Sequence, residues 1–344
     1  KQKQTNKQRK NMNAIKKIGL TALAGSLVAT SVFAGELAVT GSAGMGLANQ
    51  DKKTQGNGFS MYDEVTFSGS GEMDNGWTVA VSFQLDDNAN GDTTGDNMDN
   101  RSLTIGMGDM GTVTFSGHGG DSAFSAVDDV TPSAYGEAWD ILGTTTSGGA
   151  GTGQGGTAAA KKGRISGTAT ENMLSYNNSS LVDGLSVTAS YVPSNGVQVE
   201  SITSFGVAYT GVEGLTVGYA QDDNGLAGTS KIDYDTMYVK YAYGPVTVGY
   251  QQSGQDANGS TDDDNFTAMG VSYAVSDSLS VGYNTTEYDD DNNTADEEST
   301  SISFSYTMGS MTLAGAHVTV DNQGASSATI NDTSGYALDL SFAF

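Results

Sequence analysis

Apolar residues alternate with small or polar ones along most of the chain, in short stretches of period two rather than the 3.6 of a helix. At the C-terminus, Tyr336, Leu338, Leu340, Phe342 and Phe344 share one face, and Ala337, Asp339, Ser341 and Ala343 the other. Ile302, Phe304, Tyr306 and Met308 oppose Ser301, Ser303, Ser305 and Thr307 in the same way. Trp77, Val79, Val81, Phe83 and Leu85 oppose Thr78, Ala80, Ser82 and Gln84. This pattern marks a strand with one apolar face. It predicts sixteen strands, the first eight over 37–47, 61–70, 77–85, 101–107, 112–118, 171–177, 185–191 and 202–209. The other eight cover 215–219, 234–243, 246–250, 266–275, 279–283, 301–308, 311–320 and 335–344. No helical period persists after residue 34.

A short phrase recurs among these strands. "LVDGLSVTASY", "GVEGLTVGYA", "YGPVTVGY" and "SDSLSVGY" each join a tight turn to a strand, with strand starts at Leu185, Leu215, Val246 and Leu279. The repeat is one hairpin. Its tight turns ("MDNG", "GDMG", "VDG", "VEG", "GP", "SDS", "GS") hold the Gly, Asn and Asp that hairpin turns require. The alternate connections are longer, acidic and glycine-rich, such as "DDNANGDTTGDNMDN" and "EYDDDNNTADEE". Short turns at one end and long loops at the other describe an up-and-down antiparallel barrel of the transmembrane type.

The face opposite the large apolar residues decides where those residues point. It is built of Ser, Thr, Gly, Gln and acid, which cannot pack a dry core for sixteen strands. A barrel of that size encloses water. The apolar face therefore meets lipid, the polar face meets the lumen, and each backbone group is satisfied by a neighbouring strand. Tyr191, Tyr219, Tyr250, Tyr283 and Trp77 stand at strand ends, where an aromatic girdle is expected.

"MNAIKKIGLTALAGSLVATSVFAGE", from Met12, has a basic start, an apolar run and the small-x-small Val32-Phe33-Ala34. Residues 12–34 thus read as a secretory signal peptide, and residues 1–11 as an upstream extension. Residues 35–344 form the predicted barrel. Residues 1–34 hold 7 of the 15 basic residues and none of the 40 acids, which leaves 8 against 40, a net charge of −32. A phosphate backbone would be repelled, so nucleic acid is excluded as a partner. With no cysteine there is no disulfide scaffold and no thiolate chemistry.

One connection breaks the pattern. About fifty residues lie between His118 and Glu171, in the third of the long loops (119–170). A loop of that length inside a compact domain is usually functional. Signal peptide, sixteen strands, an oversized third loop and the terminal phenylalanine of "LDLSFAF" together resemble the general porins of Gram-negative outer membranes. The opening "GELAVTGSAGMGL" is most similar to the alphaproteobacterial type. The resemblance implies an outer-membrane homotrimer among lipid and lipopolysaccharide, inserted by the barrel assembly machinery, which reads the terminal phenylalanine, here Phe344. It also implies that the third loop folds into the barrel and narrows it, with acids on the loop facing basic wall residues.

The residues depart from that last expectation. The loop's acids are Asp121, Asp128, Asp129, Glu137 and Asp140, while Glu64 and Asp339 have inward parity on the wall. Lys240 and Tyr238 also point inward, Arg101 has outward parity, and His118 has lumen-facing parity where the loop begins. A bore with this excess of carboxylate concentrates cations. The expected function is passive diffusion of small hydrophilic solutes and ions with weak cation preference. A substrate-selective channel and a non-transport surface barrel, an adhesin or scaffold, are the alternatives. No enzyme is expected, because the two histidines lie far apart with no motif around either. No cofactor is expected beyond structural Ca²⁺, for which Asp262, Asp263 and Asp264 are weak ligands lacking a fixed loop spacing.

Overall fold

A computed structural model describes residues 36–51, 58–86, 98–141, 163–167, 171–194, 200–258, 263–293, 295–325 and 332–344. The predicted extension and signal peptide lie outside the described residues. The first eight strands are β1 (Glu36–Gln50), β2 (Gly58–Glu72), β3 (Thr78–Asp86), β4 (Met98–Gly106), β5 (Thr112–His118), β6 (Met173–Val182), β7 (Leu185–Val192) and β8 (Ile202–Tyr209). They are followed by β9 (Leu215–Asp223), β10 (Ile232–Tyr243), β11 (Val246–Ala257), β12 (Asp264–Ala274), β13 (Leu279–Asp289), β14 (Glu297–Met308), β15 (Met311–Asp321) and β16 (Thr333–Ala343). Each pairs antiparallel with its sequence neighbours and β1 closes on β16, giving one closed barrel. Closure removes the sheet edges that would otherwise carry unsatisfied backbone groups into lipid.

The faces separate as the alternation requires. Val217 and Tyr219 on β9, Val239 and Tyr241 on β10, Val248 and Tyr250 on β11, and Val281 and Tyr283 on β13 are exposed on the outer surface. Tyr191, Tyr219, Tyr250 and Tyr283 stand toward the long-loop end of their strands. Tyr209, Tyr243, Tyr273 and Tyr306 stand toward the turn end, which is also where Trp77 lies, one residue before β3. The aromatic positions thus form two girdles. Several strands run further toward the long loops than the alternation predicts: β9 to Asp223, β11 to Ala257 and β13 to Asp289. Beyond the girdle the outward residues are polar (Gln252, Asp256, Thr285, Glu287), so pairing continues in water after the lipid-facing pattern has ended.

The tight turns are set by backbone handedness. Gly184 in "VDG" and Gly214 in "VEG" have φ of 77° and 78°, a region that side chains with a Cβ rarely enter. The barrel seam depends on a third glycine. Gly41 and Phe344 exchange two backbone hydrogen bonds of 2.9 Å, and the Phe344 ring lies over Gly41 on the outer surface. A Cβ at Gly41 would sit 2.6 Å from that ring and 2.9 Å from the Glu64 carbonyl oxygen. Gly41→Val is expected to cost about 1–3 kcal/mol by overpacking. The measurement is the temperature at which the folded band disappears in heat-modifiability electrophoresis, which should fall by several degrees. A substitution without effect would show that the seam tolerates a side chain.

Candidate functional site

The described parts of the long connection between β5 and β6, residues 119–141 and 163–167, turn into the barrel and lie along its inner wall. On β8, Ser204 Oγ accepts the Phe124 N–H at 3.1 Å. At β9, Ser122 Oγ donates to Asp222 Oδ2 at 2.8 Å. Two buried amides then hold the loop by its backbone. Gln251 on β11 accepts the Val130 N–H at 3.0 Å, and Asn284 on β13 accepts the Ala138 N–H at 3.0 Å. On β14, Ser303 Oγ accepts the Ala134 N–H at 3.3 Å. Ile141 ends this limb in an apolar cluster with Ala316, Val318 and Val320 of β15, Ala337 of β16 and Ala48 of β1.

Between these anchors the turn Thr131–Ala134 is pressed onto the wall, which has no side chains beneath it. A Cβ at Gly249 on β11 would lie 2.4 Å from Pro132 Cδ, and one at Gly270 on β12 would lie 2.3 Å from the Pro132 carbonyl oxygen. At Gly282 on β13 it would lie 2.8 Å from the Ala134 nitrogen. Three lumen-facing glycines on consecutive strands therefore make the seat. This gives the recurring "VGY" its second meaning: the tyrosine meets the membrane boundary outside, and the glycine clears space inside. Gly218, the VGY glycine of β9, takes the Tyr238 ring instead, with a Cβ there 2.4 Å from it.

The seat is completed by a dry patch that the polar-interior reading does not anticipate. Phe124, Trp139 and Ile165 from the loop pack with Ala220 of β9, Phe266 and Ala268 of β12 and Tyr288 of β13. Phe266 is 1% exposed although it faces inward, because the loop covers it. Alternation assigns a side chain to a face but cannot say what will lie on that face.

The arc that the loop leaves open is polar. Across β1 to β4, Ser42 donates to Glu64 Oε1 at 3.0 Å, Gln84 donates to Glu64 Oε2 at 2.5 Å, and Asn100 donates to Gln84 Oε1 at 2.7 Å. Beside this ladder Tyr62 donates its hydroxyl to Asp339 at 2.8 Å. Glu64 and Asp339 are thus lumen-facing and tied in place, as their parity predicts. Lys240 also faces inward, close to the loop's seat, with its Cγ 3.3 Å from where a Gly249 Cβ would be. Arg101 lies on the outer surface, paired in register with Phe83.

The five loop acids divide. Asp121 and Asp129 are exposed and Asp140 is half-buried, so these three are open to water. Their mutual repulsion helps to raise the Asp129 carboxyl, after desolvation and against the pull of Arg164. Asp128 and Glu137 do not face the bore, contrary to the expectation for them. Asp128 is 1% exposed and lies 3.0 Å from Arg164 Nε; burial pushes its carboxyl up to about 7 despite that guanidinium. Glu137 is 7% exposed and accepts from Thr131 Oγ1 and Trp139 Nε1, and burial pushes it up to about 7 as well. A loop without period gives no parity, so sequence could not sort its acids into covered and open.

The remaining expected residues are placed as follows. Tyr238 faces inward but is covered, at 8% exposure. His118 stands at the loop entrance with Nδ1 2.9 Å from Glu171 Oε1, joining the two ends of the connection. Asp263 accepts the Ala257 N–H at 3.3 Å, and Asp264 accepts from Tyr288 and Gln255 at 2.7 Å and 3.0 Å. Asp262 lies outside the described residues. Among the described residues no group of three or more His, Cys, Asp or Glu side chains is arranged to hold a metal ion.

Comparison with known proteins agrees with this architecture. No curated protein matches the sequence. Among solved structures, the chain is similar to OmpT, an outer membrane protein of Vibrio cholerae, with 13% identity over 91% of this chain and 99% of that one, and a TM-score of 0.64. A porin structure refined at 1.8 Å is 17% identical over 90% of this chain and all of its own, with a TM-score of 0.63. A variant of the Rh. blastica porin gives 14% identity, 90% and 100% coverage, and a TM-score of 0.63. These identities carry the fold alone. A family model described as Gram-negative porin matches residues 19–326. With that match spanning most of the sequence, and a closed sixteen-strand barrel behind it, the chain belongs to the Gram-negative porin family and is an outer-membrane channel protein.

Proposed function

We propose that the channel is a passive diffusion pore for small hydrophilic solutes that favours cations, and that it works as a homotrimer. One observation carries the selectivity. Glu64 and Asp339 line the open wall of the bore and Asp121, Asp129 and Asp140 are the uncovered acids of the loop, while among the described strand residues Lys240 is the lysine that points inward. Opposing acid and base would set a transverse field. Acid on wall and loop alike sets a single-sign potential, which enriches cations and excludes anions.

Reversal potentials in a KCl gradient test this reading. A cation-to-anion permeability ratio of roughly 5 is expected, and Glu64→Gln with Asp339→Asn should reduce it about twofold. Asp339→Asn keeps an oxygen acceptor for Tyr62, and Glu64→Gln keeps one for Ser42 while the Gln84 amide turns over to accept from the new NH2 and the Asn100 amide turns over with it. Anion preference in the unmodified channel would overturn the proposal.

Trimer formation has support of its own. On the outer surface β1 and β2 carry the small residues Ala43 and Gly69. OmpT of Vibrio cholerae, a structural neighbour, is described in a trimer form.

A further inference from the structure

We infer that Arg164 is the positioning residue that fixes the width of the bore, by clamping the returning limb of the long loop onto its outgoing limb. The inference rests on the diffusion-channel reading above. Residues 119–141 are the outgoing limb, and 163–167 belong to the return. The wall holds the outgoing limb through Ser204, Gln251, Asn284 and Ser303. The return limb meets the outgoing one at Arg164, and it shares an apolar cluster with wall residues at Ile165.

Arg164 makes two contacts across the limbs. Its Nε lies 3.0 Å from Asp128 Oδ1, and its Cζ lies 4.3 Å from the centroid of the Trp139 ring. A planar guanidinium can lie on an indole and point an edge at a carboxylate at the same time; a lysine ammonium cannot. The two neighbours that would suffer from its loss, Asp128 and Trp139, are already buried. Asp128 would keep a carboxylate in a nearly closed site with no cation beside it, and would have to take up a proton or admit water. Trp139 would lose the cover over one face.

The rest of the limb is fitted to this placement. Ile165, 2% exposed, completes the cluster of Phe124, Trp139 and Phe266. Gly163 turns with φ of 77° beside Trp139, and Gly167 passes so close that a Cβ would lie 2.8 Å from both Asp222 Oδ2 and Ser125 Oγ. Close passage at Gly167 gives the limb little tolerance for a shift. The guanidinium is only 23% exposed, so it acts as a buried strut rather than as a charge offered to passing solutes.

The test combines conduction with an assay that does not depend on it. Arg164→Gln is expected to raise single-channel conductance roughly twofold and to admit larger sugars in liposome swelling, because the freed limb no longer fills the lumen. Arg164→Lys, which retains the charge without the plane, should fall between the two. In the Asp128→Asn background the Arg164→Gln effect should shrink by at least half, a coupling that two independent contributions would not show. Hydrogen exchange at Ile165 and Gly167 should quicken at least tenfold in Arg164→Gln while β12 and β13 stay protected. If wild-type protein shows no channel, the diffusion reading fails, but faster limb exchange still supports the clamp. Unchanged conductance, cutoff and exchange in Arg164→Gln would overturn it. If Arg164→Gln yields no folded barrel, Arg164→Lys and Asp128→Asn decide: wild-type conductance in both overturns the clamp, and a shift in either supports it.

Discussion

Replacing Gly249 and Gly270 together by valine is expected to lift the long loop off the wall and give a channel that conducts roughly twice the wild-type current. The two glycines are paired directly across β11 and β12, so the new side chains would form one cross-strand valine pair. The sheet itself would accept it, since β-branched pairs favour strands. The loop would not. Pro132 would be met from both strands, by contacts of 2.4 Å to its ring and 2.3 Å to its carbonyl oxygen. The ring belongs to a rigid residue, and the carbonyl sits between the backbone hydrogen bonds to Gln251 and Asn284. Moving it far enough sacrifices those bonds, each worth about 1 kcal/mol, besides the overpacking cost of about 1–3 kcal/mol per valine. Gly71→Val is the control, because nothing lies within 4 Å of its Cβ position. Its conductance should equal that of the wild type, whereas a double variant with wild-type conductance and solute cutoff would mean that the loop is not seated on those glycines.

The same glycines show what sequence could and could not reveal. Period-two alternation is a local property, so strand number, turn placement and the outward face of Tyr219, Tyr250 and Tyr283 were all readable. So were the inward directions of Glu64, Lys240 and Asp339, because parity follows from neighbours one residue away. The seat was half visible. "VGY" recurs in β9, β11 and β13, and a glycine at a lumen-facing position of successive strands signals close approach of another backbone. What approaches is a segment more than a hundred residues earlier, and no local pattern names it. Phe266 and Tyr288 face inward for the same reason, as partners of Phe124 and Trp139 rather than as faults in the alternation. The loop acids illustrate the opposite limit. Asp128 and Asp129 are adjacent, yet one is buried against Arg164 and the other opens to water, and only the folded loop distinguishes them.

That distinction makes the loop sensitive to pH in a definite direction. Asp128 and Glu137 both have carboxyls pushed up to about 7, chiefly by burial, from the ordinary carboxylate values that they would regain in an undocked loop. Between those values and about 7 the docked loop binds protons that the undocked loop has released. Docking stability is therefore fully present in acid below the ordinary carboxylate range, and it is lost as pH rises through about 7. The groups that face this pair share its environment: Arg164 favours ionisation of both, Asp129 opposes it, and Thr131 and Trp139 donate to Glu137. Hydrogen exchange of the amides in 122–138, corrected for the intrinsic pH dependence of exchange, should show an opening free energy lower at pH 8.5 than at pH 5 by an amount on the order of 3 kcal/mol. The combined Asp128→Asn and Glu137→Gln variant should lose most of that slope. A wild-type loop that grows more protected as pH rises would refute the assignment, because carboxylates held ionised by Arg164 would produce that trend. The bore's own carboxylates act on a different property: removing their charge, as Glu64→Gln and Asp339→Asn do, weakens cation preference without moving the loop. Reversal potential and exchange protection, measured on the same preparations, should thus respond to different substitutions, because the two sets of carboxylates lie on opposite sides of the surface that divides the loop's interior from the water in the pore.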